Sequence, residues 1–181
     1  SYKMNSNKEN IAENVKFNNL VKWCRENGGF VHNLITRKKN KKGIFGIIAT
    51  DRIEKGTVIF QIPDKICIND DENINYDDCD DKSKTIINIL IEYKKGKKSK
   101  WHHTFSLLPS YDVIVNNSIW NCNKEITNNL QEIGYDVTLA NKYRDNIIKY
   151  IIKLNNKYKY VENLTLHDVI YCEAIETSYT W

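Results

Sequence analysis

No apolar run in this 181-residue chain is long enough to cross a bilayer, and its first residues are polar rather than those of a signal peptide. A membrane partner is therefore not expected. The five cysteines make no CxxC pair and stand at no Cys/His ligand spacing, so neither a zinc site nor a disulfide framework is expected. A reducing, intracellular compartment, cytoplasmic or nuclear, is the simpler setting, with Cys24, Cys67 and Cys172 as small apolar core residues. His102 and His103 are the other metal candidates, but adjacent side chains are expected to point apart, and no third ligand is spaced to join them. The chain also lacks a DNA- or RNA-reading motif, and no aromatic residues interleave with its lysines for base stacking. Nucleic acid is accordingly not expected as a partner. A helical nucleic-acid binder using Lys38 to Lys42 and Lys94 to Lys100 is the weakest reading, and it would require steeply salt-dependent binding.

What is present suits a folded domain. Apolar residues make up 41% of the chain and charged ones 28%, enough for a core that needs no disulfide. The net charge of +4 is modest and arranged in blocks: Arg37-Lys38-Lys39 with Lys41-Lys42, Lys94-Lys95 with Lys97-Lys98, and an acidic stretch from Asp70 to Asp81. Such blocks are read as solvated loops.

The most informative stretch runs from Lys42 to Asn69, KGIFGIIATDRIEKGTVIFQIPDKICIN. Ile44 to Thr50 is β-branched and apolar, Asp51 to Gly56 is a charged turn, and Thr57 to Ile62 is a second strand-like run that Pro63 ends. Pro63-Asp64-Lys65 makes a corner, after which Ile66, Cys67 and Ile68 read as a third short extended piece. Upstream, Phe17, Leu20, Val21 and Cys24 recur at helical spacing until Gly28-Gly29, with Trp23 as a packing residue and a short strand through Ile35 following. Residues 1 to 16 are polar and expected to be frayed.

Downstream, the acidic segment has too few apolar residues to fold alone. The run from Lys84 through Ile86, Ile87, Ile89, Leu90, Ile91 and Tyr93 fits a buried helix or a strand by periodicity. Asn123 to Ile133 reads as a helix stopped by Gly134. Val137 to Tyr158 reads as a long amphipathic helix with Tyr143, Ile147, Tyr150, Ile151 and Leu154 on its packed face. Thr165-Leu166-His167-Asp168 opens a last helix through a capping-box-like start.

The glycine turn, the ATxxI phrase, the run ending in VIFQIP and the following ICIN resemble the N-terminal half of a SET domain. The branch is that of the Rubisco large-subunit lysine methyltransferase and the actin-histidine methyltransferase. The phrase from Lys95 to Asp112, with WHHTFSLLPSYD, resembles the same branch, and the likeness runs from Phe17 to Trp181. It implies an α+β fold: SET-type small β-sheets over about residues 17–83 with a preceding helix, then a mostly helical insert over 84–181. The same resemblance implies that the run from Lys84 is a helix, and implies Trp101 and Phe105 as core residues. It also implies an S-adenosylmethionine-dependent protein N-methyltransferase, with a protein lysine or histidine as substrate and no metal. In the family the glycine turn meets the cofactor, and small residues let the backbone approach it. Its usual Gly-x-Gly is altered here: Gly46 supplies the second glycine, while the first is replaced by Ile44 or displaced to Gly43. Gly43, Ile44, Phe45 and Gly46 are thus the expected cofactor-binding residues.

The family also pairs a helical arginine with the cofactor carboxylate. Tyr179 stands at that position, in Ser178-Tyr179-Thr180-Trp181, and can offer one hydrogen bond without the charge. The Asn-His phrase and catalytic tyrosine of the family have no counterpart before Trp181, so no catalytic residue is assigned. The segment is expected to be an N-terminal portion that is inactive alone. The alternative is a catalytically dead SET-like module that binds a protein.

Overall fold

The structure, a computed structural model, describes residues 2–39, 45–68, 74, 79–116 and 124–179. Helix α1 spans Tyr2–Glu26, so residues expected to fray supply its first turns. Once the Phe17 to Cys24 face has nucleated the helix, each further residue adds one bond for one residue fixed. Phe17 and Cys24 are buried. The helix ends in a Schellman motif: Gly28 sits at φ 84, its N–H donates to Arg25 O at 3.0 Å, and Gly29 N–H donates to Cys24 O at 2.9 Å. Gly29 is required by space as well, since a Cβ there would run into the Cys24 thiol and come within 3.2 Å of Gln61 O.

Two small antiparallel sheets follow. Strand β1 (Phe30–Val31) pairs with β4 (Phe60–Gln61), and β2 (Ile35–Lys39) pairs with β3 (Phe45–Ala49). The expected strand over Thr57 to Ile62 is regular only at Phe60–Gln61, because β1 offers just two residues to pair with. The expected extended piece at Ile66 is instead a 3₁₀ turn over Asp64–Ile66, closed by Ile66 N–H to Pro63 O and Cys67 N–H to Asp64 O. Trp101 Nε1 donates to the Ile66 carbonyl at 2.7 Å, which occupies a group a strand would need. Cys24, Val31 and Ile66 form the buried cluster here, with Val21, Trp23 and Ile35 against it. Cys67 is only partly buried.

The chain divides into two compact units, residues 1–67 with 100–108, and 68–99 with 109–181. The division expected near Lys84 thus falls after Cys67, and the Trp101 phrase returns to the first unit. There α3 (His102–Phe105) packs on α1.

The second unit is helical: α2 (Asp81–Lys95), α4 (Tyr111–Asn116), α5 (Lys124–Glu132), α6 (Val137–Tyr158) and α7 (Leu166–Tyr179). Asp80 caps α2 by accepting from Ser83 N–H at 2.7 Å, and the apolar run that sequence left ambiguous is helical, with Ile86, Ile87 and Leu90 fully buried. Gly134 at φ 84 stops α5, as its position implies. In α6, Ile147, Ile151 and Leu154 are buried, whereas Tyr143 is 57% exposed. Thr165 and Asp168 form a capping box: Asp168 N–H donates to Thr165 Oγ1 at 3.1 Å, and Thr165 N–H donates to Asp168 Oδ2 at 3.0 Å. Lys94 Nζ adds a bond to the same carboxylate at 3.0 Å. The fold is α+β, with seven α-helices and two two-stranded sheets among the described residues. No helix among them is long and apolar enough to cross a membrane.

Candidate functional site

The β2–β3 ribbon carries the expected cofactor residues that the structure describes, Phe45 and Gly46; Gly43 and Ile44 lie outside the described residues. Register places Arg37 opposite Ile47, Lys38 opposite Gly46 and Lys39 opposite Phe45. Because side chains alternate along a strand, Arg37, Lys39, Phe45 and Ile47 share one face, and Thr36, Lys38, Gly46 and Ile48 share the other.

The first face is tied down. Arg37 places Cζ 4.6 Å from the centre of the Phe45 ring, Lys39 Nζ lies 5.2 Å from the same centre, and both distances suit cation–π contact. Arg37 is also paired with Glu13 of α1 and donates to Leu107 O at 3.1 Å. Burial by itself would raise the Glu13 carboxyl; the bonds and charges of Lys16 and Arg37 outweigh it and hold that carboxyl below its ordinary range.

The second face is open. A Cβ built on Gly46 meets no atom within 4 Å, so the backbone of β3 is uncovered at that point. Lys38, directly across, is exposed, and cross-strand neighbours stand about 5 Å apart at Cβ. An exposed lysine across from a glycine with an empty Cβ position could serve the carboxylate end of an amino-acid-bearing cofactor, since Gly46 lets a group come close to the strand. Lys38 stands among basic neighbours that the sequence reads as a loop, and only the β2–β3 register brings it across from Gly46.

Tyr179 is the last residue of α7, in the second unit, and its side chain lies outside the described residues. The histidine pair does not point apart as expected. On the short α3 helix the two rings sit 3.8 Å apart, because successive helical side chains diverge by about 100° rather than 180°. Burial, with the neighbouring His102, holds His103 below the ordinary histidine range. Among the described residues no three His, Cys, Asp or Glu side chains gather as a metal ion would require. In the second unit, a polar cleft of about 450 Å³ lies at the connection between α6 and α7, lined by Asn155, Asn156, Lys159, Glu162 and Asn163 among others. None of the expected site residues belongs to it. No family model, no curated protein and no solved structure matches this chain.

Proposed function

We propose that this chain carries the S-adenosylmethionine-facing ribbon of a SET-type protein N-methyltransferase whose substrate is a lysine or histidine side chain of a protein. The observation that carries the reading is the open face of β3. Gly46, in the phrase that resembles the family's glycine turn, has an uncovered backbone, and the exposed Lys38 stands across from it. The cofactor, when bound, supplies a methyl group on a sulfonium for transfer to a neutral nitrogen. In this reading Gly46 admits the amino-acid end to the main chain and Lys38 pairs with its carboxylate. An intracellular, reducing setting belongs to the same proposal, in keeping with the free thiols of Cys24, Cys67 and Cys172.

The test is calorimetric titration of the 181-residue chain with S-adenosylmethionine. Binding is expected, and Lys38→Ala should weaken it about tenfold or more, the effect of losing one contact of about 1.5 kcal/mol to a charged group. Gly46→Val should remove it by filling the open face. A folded chain that shows no binding, or binding indifferent to both changes, sinks the reading. A second reading, a SET-like module that binds protein without catalysis, is favoured by the exposed Ile47 and Ile48 on β3.

A further inference from the structure

The segment Thr57 to Ile62, TVIFQI, has no charge, no proline and no glycine, and is rich in β-branched and aromatic residues. That is the composition of segments that pair with copies of themselves. Natural sheets guard exposed edges with charges, prolines or bulges inside the edge strand, and this segment has none of these within it.

The structure leaves the segment uncovered. Val58 is 56% exposed, Phe60 40% and Ile62 47%, and Ile59 is exposed as well, so both faces are open. Among the described residues β4 pairs with β1 alone. The outward edge can be identified from the ladder. His32 N–H donates to Ile59 O at 2.9 Å, and Phe30 stands opposite Gln61. Ile59 and Gln61 therefore turn their backbone groups toward β1, and by alternation Val58, Phe60 and Ile62 turn theirs outward.

We propose that this edge pairs antiparallel with the same edge of a second copy of the chain, about a two-fold axis at Phe60. Residues with outward backbone groups form the hydrogen-bonded pairs there, and Ile59 faces Gln61 between them. Phe60 meets Phe60 of the other copy, and Val58 meets Ile62. A two-fold contact is isologous, so an uncharged apolar strand meets an equally uncharged one. Glu54-Lys55 and Asp64-Lys65 lie outside the segment, in the turn before it and the 3₁₀ turn after it, so no charge falls within the paired stretch. The result is a four-stranded sheet, β1-β4 of one copy continued by β4-β1 of the other. One strand pair of this length lies at the small end of specific interfaces, so the dimer forms and dissociates with concentration. This inference stands independently of the methyltransferase reading.

Sedimentation equilibrium of the full chain across a micromolar concentration series tests it. A monomer–dimer equilibrium is expected, with Phe60→Lys monomeric throughout and Ile133→Lys, on an exposed position of the second unit, dimerising like the parent. Register is tested by mild oxidation of Phe60→Cys. Directly opposed residues with paired backbone groups sit about 5.5 Å apart at Cα, within disulfide reach, so a covalent dimer should form that Leu166→Cys does not give. A chain monomeric at every concentration leaves the edge to some other occupant and overturns the proposal. So does a dimer that survives Phe60→Lys, or equal crosslinking at both cysteine positions. If circular dichroism shows Phe60→Lys unfolded, the crosslinking comparison decides alone.

Discussion

Asp168 shows how much one side chain can hold. Its carboxylate accepts from the Thr165 N–H and Oγ1 and from Lys94 Nζ. Burial by itself would raise this carboxyl, but the bonds from Thr165 and Lys94 prevail and hold it below the ordinary range. A group whose folded pKa is depressed adds stability that is fully present above its unfolded value of about 3.9, and that stability is lost as pH falls through the folded value. Asp168→Asn should therefore be less stable than the parent near neutral pH, and the two stabilities should converge as the pH drops below about 4. Urea denaturation at a series of pH values checks this, and a constant gap down to about pH 3 would count against it. Half of this arrangement was legible in the sequence, since Thr165 and Asp168 stand at capping-box spacing. Lys94 was not, because 74 residues separate it from Asp168 and only the fold brings it there.

Among the elements, α6 and α7 were legible and their lock was not. Periodicity marks Val137 to Tyr158 as one helix, and the fully buried Val169 and Cys172 lie one turn apart on α7. What joins the helices is Arg144 Nε donating to Glu173 Oε2 at 2.9 Å, with the Glu173 side chain 1% exposed. A buried pair of this kind is costly to break on one side only, since the remaining charge is stranded. Arg144→Leu should cost about 3–5 kcal/mol, and Arg144→Leu combined with Glu173→Leu should recover most of that loss. Chemical denaturation of the parent, both singles and the double checks the cycle; a single change costing under about 1 kcal/mol would show the pair is not a lock. The strands were less legible, for the converse reason. A strand needs a partner of matching length, and sequence can mark TVIFQI as strand-like without revealing that β1 has only two residues to offer.

For the whole chain, an α+β composition of helices and short strands was readable from period and punctuation, but the division of the chain was not. The acidic stretch that begins at Asp70 follows Cys67 closely but reads as a loop, and nothing local marks Lys100 to Leu108 as belonging with the first unit; the Trp101 bond to Ile66 O, across 35 residues, does. The two units differ in what holds them. The second has Ile86, Ile87, Leu90, Ile151, Val169 and Cys172 at essentially zero exposure, whereas β3 of the first has Gly46 to Ala49 all exposed. Local opening free energy follows buried apolar contact, so amides of the β2–β3 ribbon should exchange through small openings while those of α2 and α7 wait for larger ones. Hydrogen exchange should find Ile87 to Leu90 slower than Gly46 and Ile48, whose amides lie in the ladder, by roughly a hundredfold, a gap of about 3 kcal/mol in opening free energy. Equal protection in ribbon and helices would mean that the two units open as one. The same experiment at rising protein concentration adds a discriminating detail. The amides of Val58, Phe60 and Ile62 should gain protection as copies pair, and those of Ile59 and Gln61, already turned toward β1, should change least.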